Sequence, residues 1–295
     1  MSYLWVVMTA VGVATGFLGA LGLGSAIFLV PFMIFVLKLP VKLVTGVNLI
    51  CLLSNSAAAG TSYIKQDLAN WRLAIFLGIP MTIGSVGGAV LAVHLPEWML
   101  MMVFGGVFVW MGFVAFLTRR LDNKDIGIRN LDQSKSDGLS SLLGLRGSYL
   151  DAATHTRINY EAGNLTVGAL LACAAGLTMV VGAGAGLLSI LTMASYMNVP
   201  IKIAVGTSRL MLGMAALFGS ITFFQHGLIE WRIGSAAALG TIIGALIGSA
   251  IANRLNSAAL KFVSAGFLIY MGYTLFANGL ASHFGLYLRG ALFVH

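Results

Sequence analysis

Residues 16–46, GFLGALGLGSAIFLVPFMIFVLKLPVKLVTG, recur 160 positions later as residues 176–206, GLTMVVGAGAGLLSILTMASYMNVPIKIAVG. The correspondence continues without a gap over about a hundred residues. The shared positions in the first copy are Gly16, Gly22, Gly24, Pro40, Lys42, Gly46, Trp71, Arg72, Gly84, Gly88, Gly106, Met111 and Gly112. A duplicated apolar unit that is broken by glycines is typical of membrane proteins built from internal repeats.

The composition places the whole chain in a membrane. Hydrophobic residues make up 59% of it and charged residues only 9%, whereas a soluble domain carries about 25% charged residues. Because lipid offers no hydrogen-bond partners, the long apolar runs without alternation predict spanning helices. The formal net charge of +8 sits mostly in short loops, so it indicates topology control and not a nucleic-acid partner.

Ten apolar segments are predicted. They lie near 4–21, 25–37, 43–64, 73–93 and 98–118, and again near 165–181, 185–197, 203–224, 233–252 and 258–277. The second segment of each half would reach only about 18–20 Å at ~1.5 Å per residue, too short to cross a bilayer. Each of these segments also follows a glycine cluster. We therefore predict an all-α integral membrane protein of two inverted-topology repeats, each with three spanning helices and a glycine-broken re-entrant helical hairpin.

The repeat predicts three parts: a first membrane repeat at 1–118, a charged linker at 119–164 and a second membrane repeat at 165–295. Segment 147–160 of the linker is predicted to form a small β-hairpin. With three crossings per half and a cytoplasmic linker, twelve Lys and Arg residues lie inside and four outside, against eleven and five for an even number of crossings. The excess of positive charge inside favours the odd, inverted arrangement. We expect a multi-pass protein of a cell membrane, of the bacterial inner-membrane kind, with both termini outside.

Arg209 is the main candidate for a binding residue. The helix that follows Pro200 places it about 12 Å deep at ~1.5 Å per residue, close to the middle of a ~30 Å hydrocarbon core. No Asp or Glu lies in the predicted membrane segments to neutralise it. Since a charge at that depth is costly, an unpaired cation suggests an anionic ligand. Snorkelling or pairing with backbone carbonyls is the alternative explanation.

Polar and glycine residues complete the predicted substrate site. Thr207 and Ser208 would add hydroxyl donors, and Asn48 is the polar counterpart in the first repeat. The glycine tips, which are Gly22 and Gly24 in one repeat and Gly182 and Gly184 in the other, would offer free N–H groups at half-helix N-termini. The full set is Arg209, Ser208, Thr207, Gly206, Asn48, Gly46, Gly22, Gly24, Ser25, Gly182, Gly184 and Asn55. For the polar members, interhelical hydrogen bonding is the alternative; for the glycines, it is close helix packing.

The chain resembles the TauE/SafE family of sulfite-exporter-like proteins, within the grouping that includes toluene-sulfonate uptake permeases. The first copy matches through Gly16 to Gly24, Phe28-Leu-Val-Pro31, Leu39-Pro40 and Gly46, and the second through Gly176, Gly182, Gly184, Val199-Pro200 and Gly206-Thr207-Ser208. The chain departs from the family at Ser25 and Ala185, where a third glycine is usual. It also has Gly46-Val47-Asn48 where Gly-Thr-Ser is common, and Leu191 stands where a second copy of Pro31 would be. The resemblance implies transport of small sulfur-containing anions such as sulfite or organosulfonates.

The predicted function is secondary transport of such an anion, with alternating access around a midplane site and export favoured. Alternatives are an anion channel, an importer of an organosulfonate or thiosulfate, or a membrane enzyme, for which His94 and Glu97 are the nearest approach to a catalytic set. We expect no catalytic residues, no metal and no cofactor, and the partners to be the small anionic substrate and the lipid bilayer. Cys51 and Cys173 lack metal-site spacing and are interpreted as free thiols; for Cys51, a thiol relay for a sulfur substrate is the alternative. The sequence leaves the oligomeric state open.

Overall fold

The computed structural model describes residues 2–21, 26–118, 145–150, 157–181, 184–251 and 257–285. These residues form ten α-helices and one two-stranded sheet. The helices of the first half are α1 (Ser2–Ala20), α2 (Ala26–Pro31, continued by a π-helical turn, Phe32–Val36), α3 (Val41–Lys65), α4 (Trp71–His94) and α5 (Glu97–Thr118). Strands β1 (Arg146–Leu150) and β2 (Arg157–Glu161) follow. The second half holds α6 (Leu165–Leu177, continued by a 3₁₀ turn, Thr178–Val181), α7 (Gly184–Leu191, continued by a π-helical turn, Thr192–Tyr196), α8 (Ile201–Gln225), α9 (Trp231–Ile251) and α10 (Ser257–Phe284).

Eight of the ten predicted membrane segments are confirmed as apolar helices among the described residues. Six helices, α1, α3, α4, α5, α8 and α9, are long and apolar enough to cross a bilayer, and two shorter apolar helices cover 165–181 and 184–196. The protein is therefore a multi-pass membrane protein. Helix α1 has 19 residues, close to the predicted segment 4–21. At ~1.5 Å per residue it is about 28 Å long, so this arm of the predicted first hairpin has the length of a spanning helix.

Equivalent residues begin and end the equivalent helices of the two halves. Pro40 and Pro200 precede α3 and α8 with nearly the same backbone angles, and both helices are 25 residues long. Proline suits this position because its fixed φ fits a helix start and its missing N–H would be unpaired there. Lys38 and Asn198, also 160 residues apart, both take a positive φ just before these prolines. The duplication in the sequence is thus a duplication of local structure.

Two pairs of equivalent helices run antiparallel to each other. Along α3 and α8, Gly60 lies against Leu210, Ser56 against Gly213 and Leu49 against Gly219, so the numbering rises on one helix as it falls on the other. In the α5 and α10 pair, Gly279 of α10 lies against Met102, and Gly112 of α5 lies against Ile269. A helix and its counterpart in the other half therefore point in opposite directions.

The two halves interlace through glycines. Helix α1 packs along α9, and its counterpart α6 packs along α4. A Cβ at Gly244 would collide with the carbonyl oxygen of Val13, and one at the equivalent Gly84 would collide with that of Cys173. The missing side chains let the helix backbones approach closely, as is common in membrane bundles. Each half thus completes the core of the other.

The start of α6 lies next to the end of the π-helical turn that continues α7. The N–H of Gly163 donates to the carbonyl of Met197 over 3.1 Å, and Asn164 Nδ2 donates to the carbonyl of Tyr196 over 2.9 Å. The chain therefore leaves and returns at the same end of the bundle between these residues. Strands β1 and β2 pair antiparallel where the sequence predicts a hairpin, with Gly147 opposite Tyr160. We call this end, which also holds the α3–α4 turn at 66–70, the linker face.

Apolar side chains lie on both the inside and the outside of the bundle. Ile79, Ile83 and Leu170 are largely exposed on its outer surface, where lipid would surround them, whereas the central α3 and α8 carry buried polar side chains. A bundle with a polar middle and an apolar outside reverses the pattern of a soluble protein. The middle of the bundle is therefore where a functional site has to be sought.

Candidate functional site

Arg209 lies in the middle of the bundle. It is the ninth residue of α8, about 12 Å from the helix start at ~1.5 Å per residue. Its side chain is only 1% exposed and is the largest fully buried side chain among the described residues. The position agrees with the depth that the sequence predicts.

Two glycines lie next to this side chain. A Cβ at Gly60 of α3 would lie 4.0 Å from Arg209 Cβ, and a Cβ at Gly186 of α7 would lie 3.9 Å from Arg209 Nη2. The guanidinium therefore lies beside the first turn of α7, the half-helix that begins at Gly184. The phenol of Tyr63, which donates to the carbonyl of Ala20 over 3.0 Å, is close enough to interact with it electrostatically.

The guanidinium is not satisfied by the protein. Arg209 Nε and Nη2 are buried without a hydrogen-bond partner, and none of the acidic residues of the chain lies in α3, α7 or α8. A charged donor left unpaired in this way costs more than the ~1–3 kcal/mol of a neutral one. An N–H-rich helix start next to a free cation is an arrangement that favours an anion.

The two hydroxyls beside Arg209 are already engaged with the backbone. Ser208 Oγ donates to the carbonyl of Val205 over 2.8 Å, and Thr207 Oγ1 accepts from the N–H of Asn70 over 3.0 Å. The sequence predicts both as donors to a ligand. In the structure, Ser208 donates its proton within its own helix, whereas Thr207 accepts from the α3–α4 turn and keeps its own proton for donation.

Gly206 and Gly46 lie at equivalent helix–turn contacts. A Cβ at Gly206 would collide with the carbonyl oxygen of Leu68, and one at Gly46 would collide with that of Leu228. Both glycines are therefore required by close packing, which was the alternative explanation from the sequence. Their effect on a ligand is to set where α8 and α3 lie.

A set of neutral polar atoms is also buried without partners. It comprises Thr15 Oγ1, both side-chain atoms of Asn48, Asn55 Oδ1 and Ser56 Oγ. Asn55 has one bond, from its Nδ2 to the carbonyl of Gly16 over 2.9 Å. Ser56 lies beside Gly213, one helical turn from Arg209 along α8.

Asn48 is farther away. Its neighbour Leu49 lies beside Gly219, ten residues from Arg209 and therefore about 15 Å along α8. The structure does not bring Asn48 and Arg209 together in one shell, although the sequence places them in one site. The unpartnered groups instead follow the α3–α8 contact through the bundle.

The glycine tips are only partly described. Gly22, Gly24, Ser25 and Gly182 lie outside the described residues. Gly184 begins α7, and a Cβ there would approach Thr178 Oγ1 to 3.1 Å. Among the described residues, no three or more potential metal ligands gather.

Sequence reasoning missed the residues that contact Arg209 from other helices. Gly186 stands at the end of the 182–186 glycine cluster, which was a usable signal. Gly60 and Tyr63 carry no such signal, because they are placed by the antiparallel register of α3 on α8. Thr15 likewise lies on α1, and nothing local marks it as polar and unpartnered.

Comparisons with known proteins agree with this architecture. The family model described as sulfite exporter TauE/SafE matches residues 8–275. The probable membrane transporter protein YunE of Bacillus subtilis (strain 168) is 23% identical over 94% of this chain and 99% of its own length. YdhB, a probable membrane transporter protein of the same organism, is 24% identical over 86% of this chain and 91% of its own length.

A more distant relative is a probable membrane transporter protein of Xylella fastidiosa (strain Temecula1 / ATCC 700964), 23% identical over 81% of each chain. No solved structure matches the chain. The family model spans most of the chain, including both copies of the repeat and Arg209. The chain therefore belongs to the sulfite exporter TauE/SafE family and is a membrane transporter, not an enzyme.

Proposed function

We propose that this transporter carries a small sulfur-containing oxyanion, sulfite or an organosulfonate, and that Arg209 is its main binding residue. The single observation that carries the proposal is the buried guanidinium with unpartnered Nε and Nη2. A sulfonate has three oxygens and a full negative charge, so it could accept from both nitrogens. Charge-assisted bonds of this kind are the strong ones.

The start of α7 supports the same assignment. The first turn of this eight-residue helix carries free N–H groups and part of the positive helix dipole. The guanidinium lies next to Gly186 in that turn. An oxyanion between them would interact with a cation on one side and helix N–H groups on the other. Ser56, one turn along the α3–α8 contact, would add a neutral hydroxyl at the edge of the site.

The proposed site extends along the bundle. Asn55 and Asn48 continue the line of unpartnered polar groups away from Arg209, so they would meet the substrate as it moves and not in the same pose. Gly206 and Gly46 would act by placing α8 and α3. The remaining tip residues, Gly22, Gly24 and Gly182, are proposed to bind through backbone N–H groups, as Gly184 would, and Ser25 through its hydroxyl.

We further propose that the halves 1–118 and 165–295 are inverted repeats, each with a re-entrant hairpin, joined by a cytoplasmic linker at 119–164. Support comes from the antiparallel α3 and α8 and from the hydrogen bonds that join the ends of α6 and α7. Alternating access would then come from movement of one repeat against the other. In an inner membrane, an anion leaving the cell gains ~2.3 kcal/mol per charge per 100 mV, which favours export without a coupled ion.

The test is efflux of labelled sulfite and isethionate from vesicles that contain the purified protein. Arg209→Gln keeps hydrogen-bonding groups but removes the charge, and we expect transport at subsaturating substrate to fall by about ten- to hundredfold, the effect of losing a charged hydrogen bond. The matched control is Arg232→Gln, an exposed arginine at the start of α9, which should transport normally. Saturable efflux that is unchanged in Arg209→Gln would remove Arg209 from the site and overturn the proposal.

A further inference from the structure

One asparagine joins three parts of the protein at the linker face. The backbone N–H of Asn70 donates to Thr207 Oγ1 on α8 over 3.0 Å. Its Oδ1 accepts from the N–H of Leu73 over 3.1 Å and caps the start of α4. Its Nδ2 donates to the hydroxyl of Tyr160 on β2 over 3.2 Å. A single residue thus connects the linker hairpin, the α3–α4 turn and the helix that carries Arg209.

Tyr160, which accepts the hydrogen bond from Asn70, is buried in the protein. Tyr160 is only 6% exposed although it belongs to the polar linker. Its hydroxyl lies over the opposite strand, where a Cβ at Gly147 would come within 2.6 Å of it, so the glycine makes the space. Burial raises the pKa of the Tyr160 phenol, and the hydrogen bond from Asn70 lowers it less. The hydroxyl is therefore neutral and can accept from Asn70 at physiological pH.

On α8, the residues that contact the α3–α4 turn lie close to Arg209. The α3–α4 turn rests on Gly206 through the carbonyl of Leu68, and on Thr207 through Asn70. These are the third and second residues before Arg209. A Cβ at Gly206 would also lie 3.2 Å from Tyr63 Cβ, and Tyr63 adjoins the guanidinium. Any movement of the α3–α4 turn therefore changes contacts that lie within one helical turn of Arg209.

The other repeat has the packing but not the hydrogen bonds. Leu228 rests on Gly46 as Leu68 rests on Gly206. Glu230, however, stands where Asn70 would be, and Val47, which has no side-chain donor or acceptor, stands where Thr207 would be. The equivalent turn of the second repeat forms without these hydrogen bonds. We therefore infer that the bonds of Asn70 have a role other than forming the fold. The linker has no second copy in the sequence, and among the described residues these hydrogen bonds occur at the linker face only.

From this asymmetry we propose that Asn70 and Tyr160 are positioning residues through which the linker holds the first turns of α8, and with them Arg209, closed toward the linker face. The proposal rests on the proposed function in one respect, that access to the Arg209 site alternates between the two faces. Release of Tyr160 from Asn70 frees the α3–α4 turn from the linker and allows α8 to open on that side. Opening at the opposite face does not involve these bonds.

Two variants separate this role from simple folding. Tyr160→Phe keeps the ring and removes the acceptor. Asn70→Ser keeps a good N-cap for α4 and the backbone N–H to Thr207, but it removes the amide that reaches Tyr160. Tyr196→Phe, an exposed tyrosine at the same face, is the matched control. Measurement of thermal unfolding of each purified variant establishes that the fold is retained.

The readout is the rate at which a membrane-impermeant thiol reagent, added from the linker face, modifies a cysteine at the fully buried position of Ser208, in protein whose Cys51 and Cys173 are replaced by Ala. We expect Tyr160→Phe and Asn70→Ser to raise this rate by about three- to tenfold, the effect of one neutral hydrogen bond on an opening equilibrium. The double variant should match the single variants, since both remove the same bond. The rate from the opposite face should not rise.

A modification rate in both variants equal to that of Tyr196→Phe overturns this proposal, and so does a double variant whose effect is the sum of the two. Neither result touches the proposed function, which depends on transport by Arg209→Gln. If Arg209→Gln transports normally while the Tyr160→Phe rate still rises, the proposed substrate site is wrong and the linker contact stands.

Discussion

At the scale of single residues, the protein keeps Arg209 where it is unfavourable for stability. Two of its nitrogens are buried without partners in the middle of the bundle. A folded protein that only needed to fill this space would do so at lower free energy with an apolar side chain. The neighbouring hydroxyls of Thr207 and Ser208 are engaged with the backbone and do not compensate the charge. The proposed binding of an anion would explain why an arginine is kept here, and it predicts an effect of Arg209 on stability.

We predict that Arg209→Met raises the stability of the ligand-free protein. Removal of an unpaired charge from the membrane interior should gain roughly 2 kcal/mol or more, and Met fills a similar volume. Thermal unfolding in detergent measures this, and the increase in unfolding temperature that sulfite gives the parent protein should be absent in the variant.

Arg232→Met serves as the exposed control for this prediction, with a change within about 0.5 kcal/mol as expected for a surface site. A lower unfolding temperature for Arg209→Met in the absence of ligand would contradict the prediction. That outcome would mean that the arginine is structurally paired and that its role is support of the bundle.

At the scale of helices, glycines decide which elements touch. At the α1–α9 and α4–α6 contacts, glycines such as Gly16, Gly84, Gly176 and Gly244 face backbone atoms of the partner helix. Other glycines that repeat just as regularly in the sequence, Gly106 and Gly266, face open space. The sequence alone cannot separate these two kinds, because a repeat shows that a glycine is shared and not what lies opposite it. The structure separates them, and the two kinds should respond differently to a methyl group.

We predict that Gly84→Ala and Gly244→Ala each destabilise the protein by about 1–3 kcal/mol, the usual effect of overpacking. Their Cβ atoms would collide with the carbonyl oxygens of Cys173 and Val13. Gly106→Ala and Gly266→Ala, the matched pair, should be neutral or slightly stabilising because Ala is the better helix former. Unfolding temperature and monodispersity in detergent measure both pairs. Equal effects at all four positions would show that the close helix contacts are not as described.

At the scale of the whole molecule, length and glycine position predict most of the elements and little of their assembly. The ten apolar segments correspond to ten helices whose described starts lie within two residues of expectation, and α2 and α7 are as short as predicted. The interlacing of α1 with α9 and of α6 with α4 could not be predicted, because a single sequence carries no information on contacts between distant helices. For the same reason, Asn48 and Arg209 were placed in one site, although the register of α3 on α8 separates them.

The whole-molecule prediction concerns the orientation of the two repeats. Lys65 and Gln225 are the last residues of α3 and α8, they are 160 residues apart, and both are exposed. Because α3 and α8 run antiparallel, these equivalent residues lie at opposite ends of the bundle. With positive charge concentrated inside, Lys65 should face the cytoplasm and Gln225 the outside. In protein with Cys51 and Cys173 replaced by Ala, we expect an impermeant maleimide to label Gln225→Cys in intact cells and Lys65→Cys only after permeabilisation.

Ser148→Cys, on the exposed side of β1, is the internal reference and should behave as Lys65→Cys does, since the linker hairpin contacts the α3–α4 turn through Tyr160 and Asn70. Labelling of Lys65→Cys and Gln225→Cys from the same side would contradict the inverted arrangement, because two equivalent helices would then cross the membrane in the same direction. Labelling of Lys65→Cys in intact cells and of Gln225→Cys only after permeabilisation would still support the inverted arrangement, but it would place the linker outside. The membrane potential would still favour export of an anion, because that argument depends on the charge of the substrate and not on the side that the linker occupies.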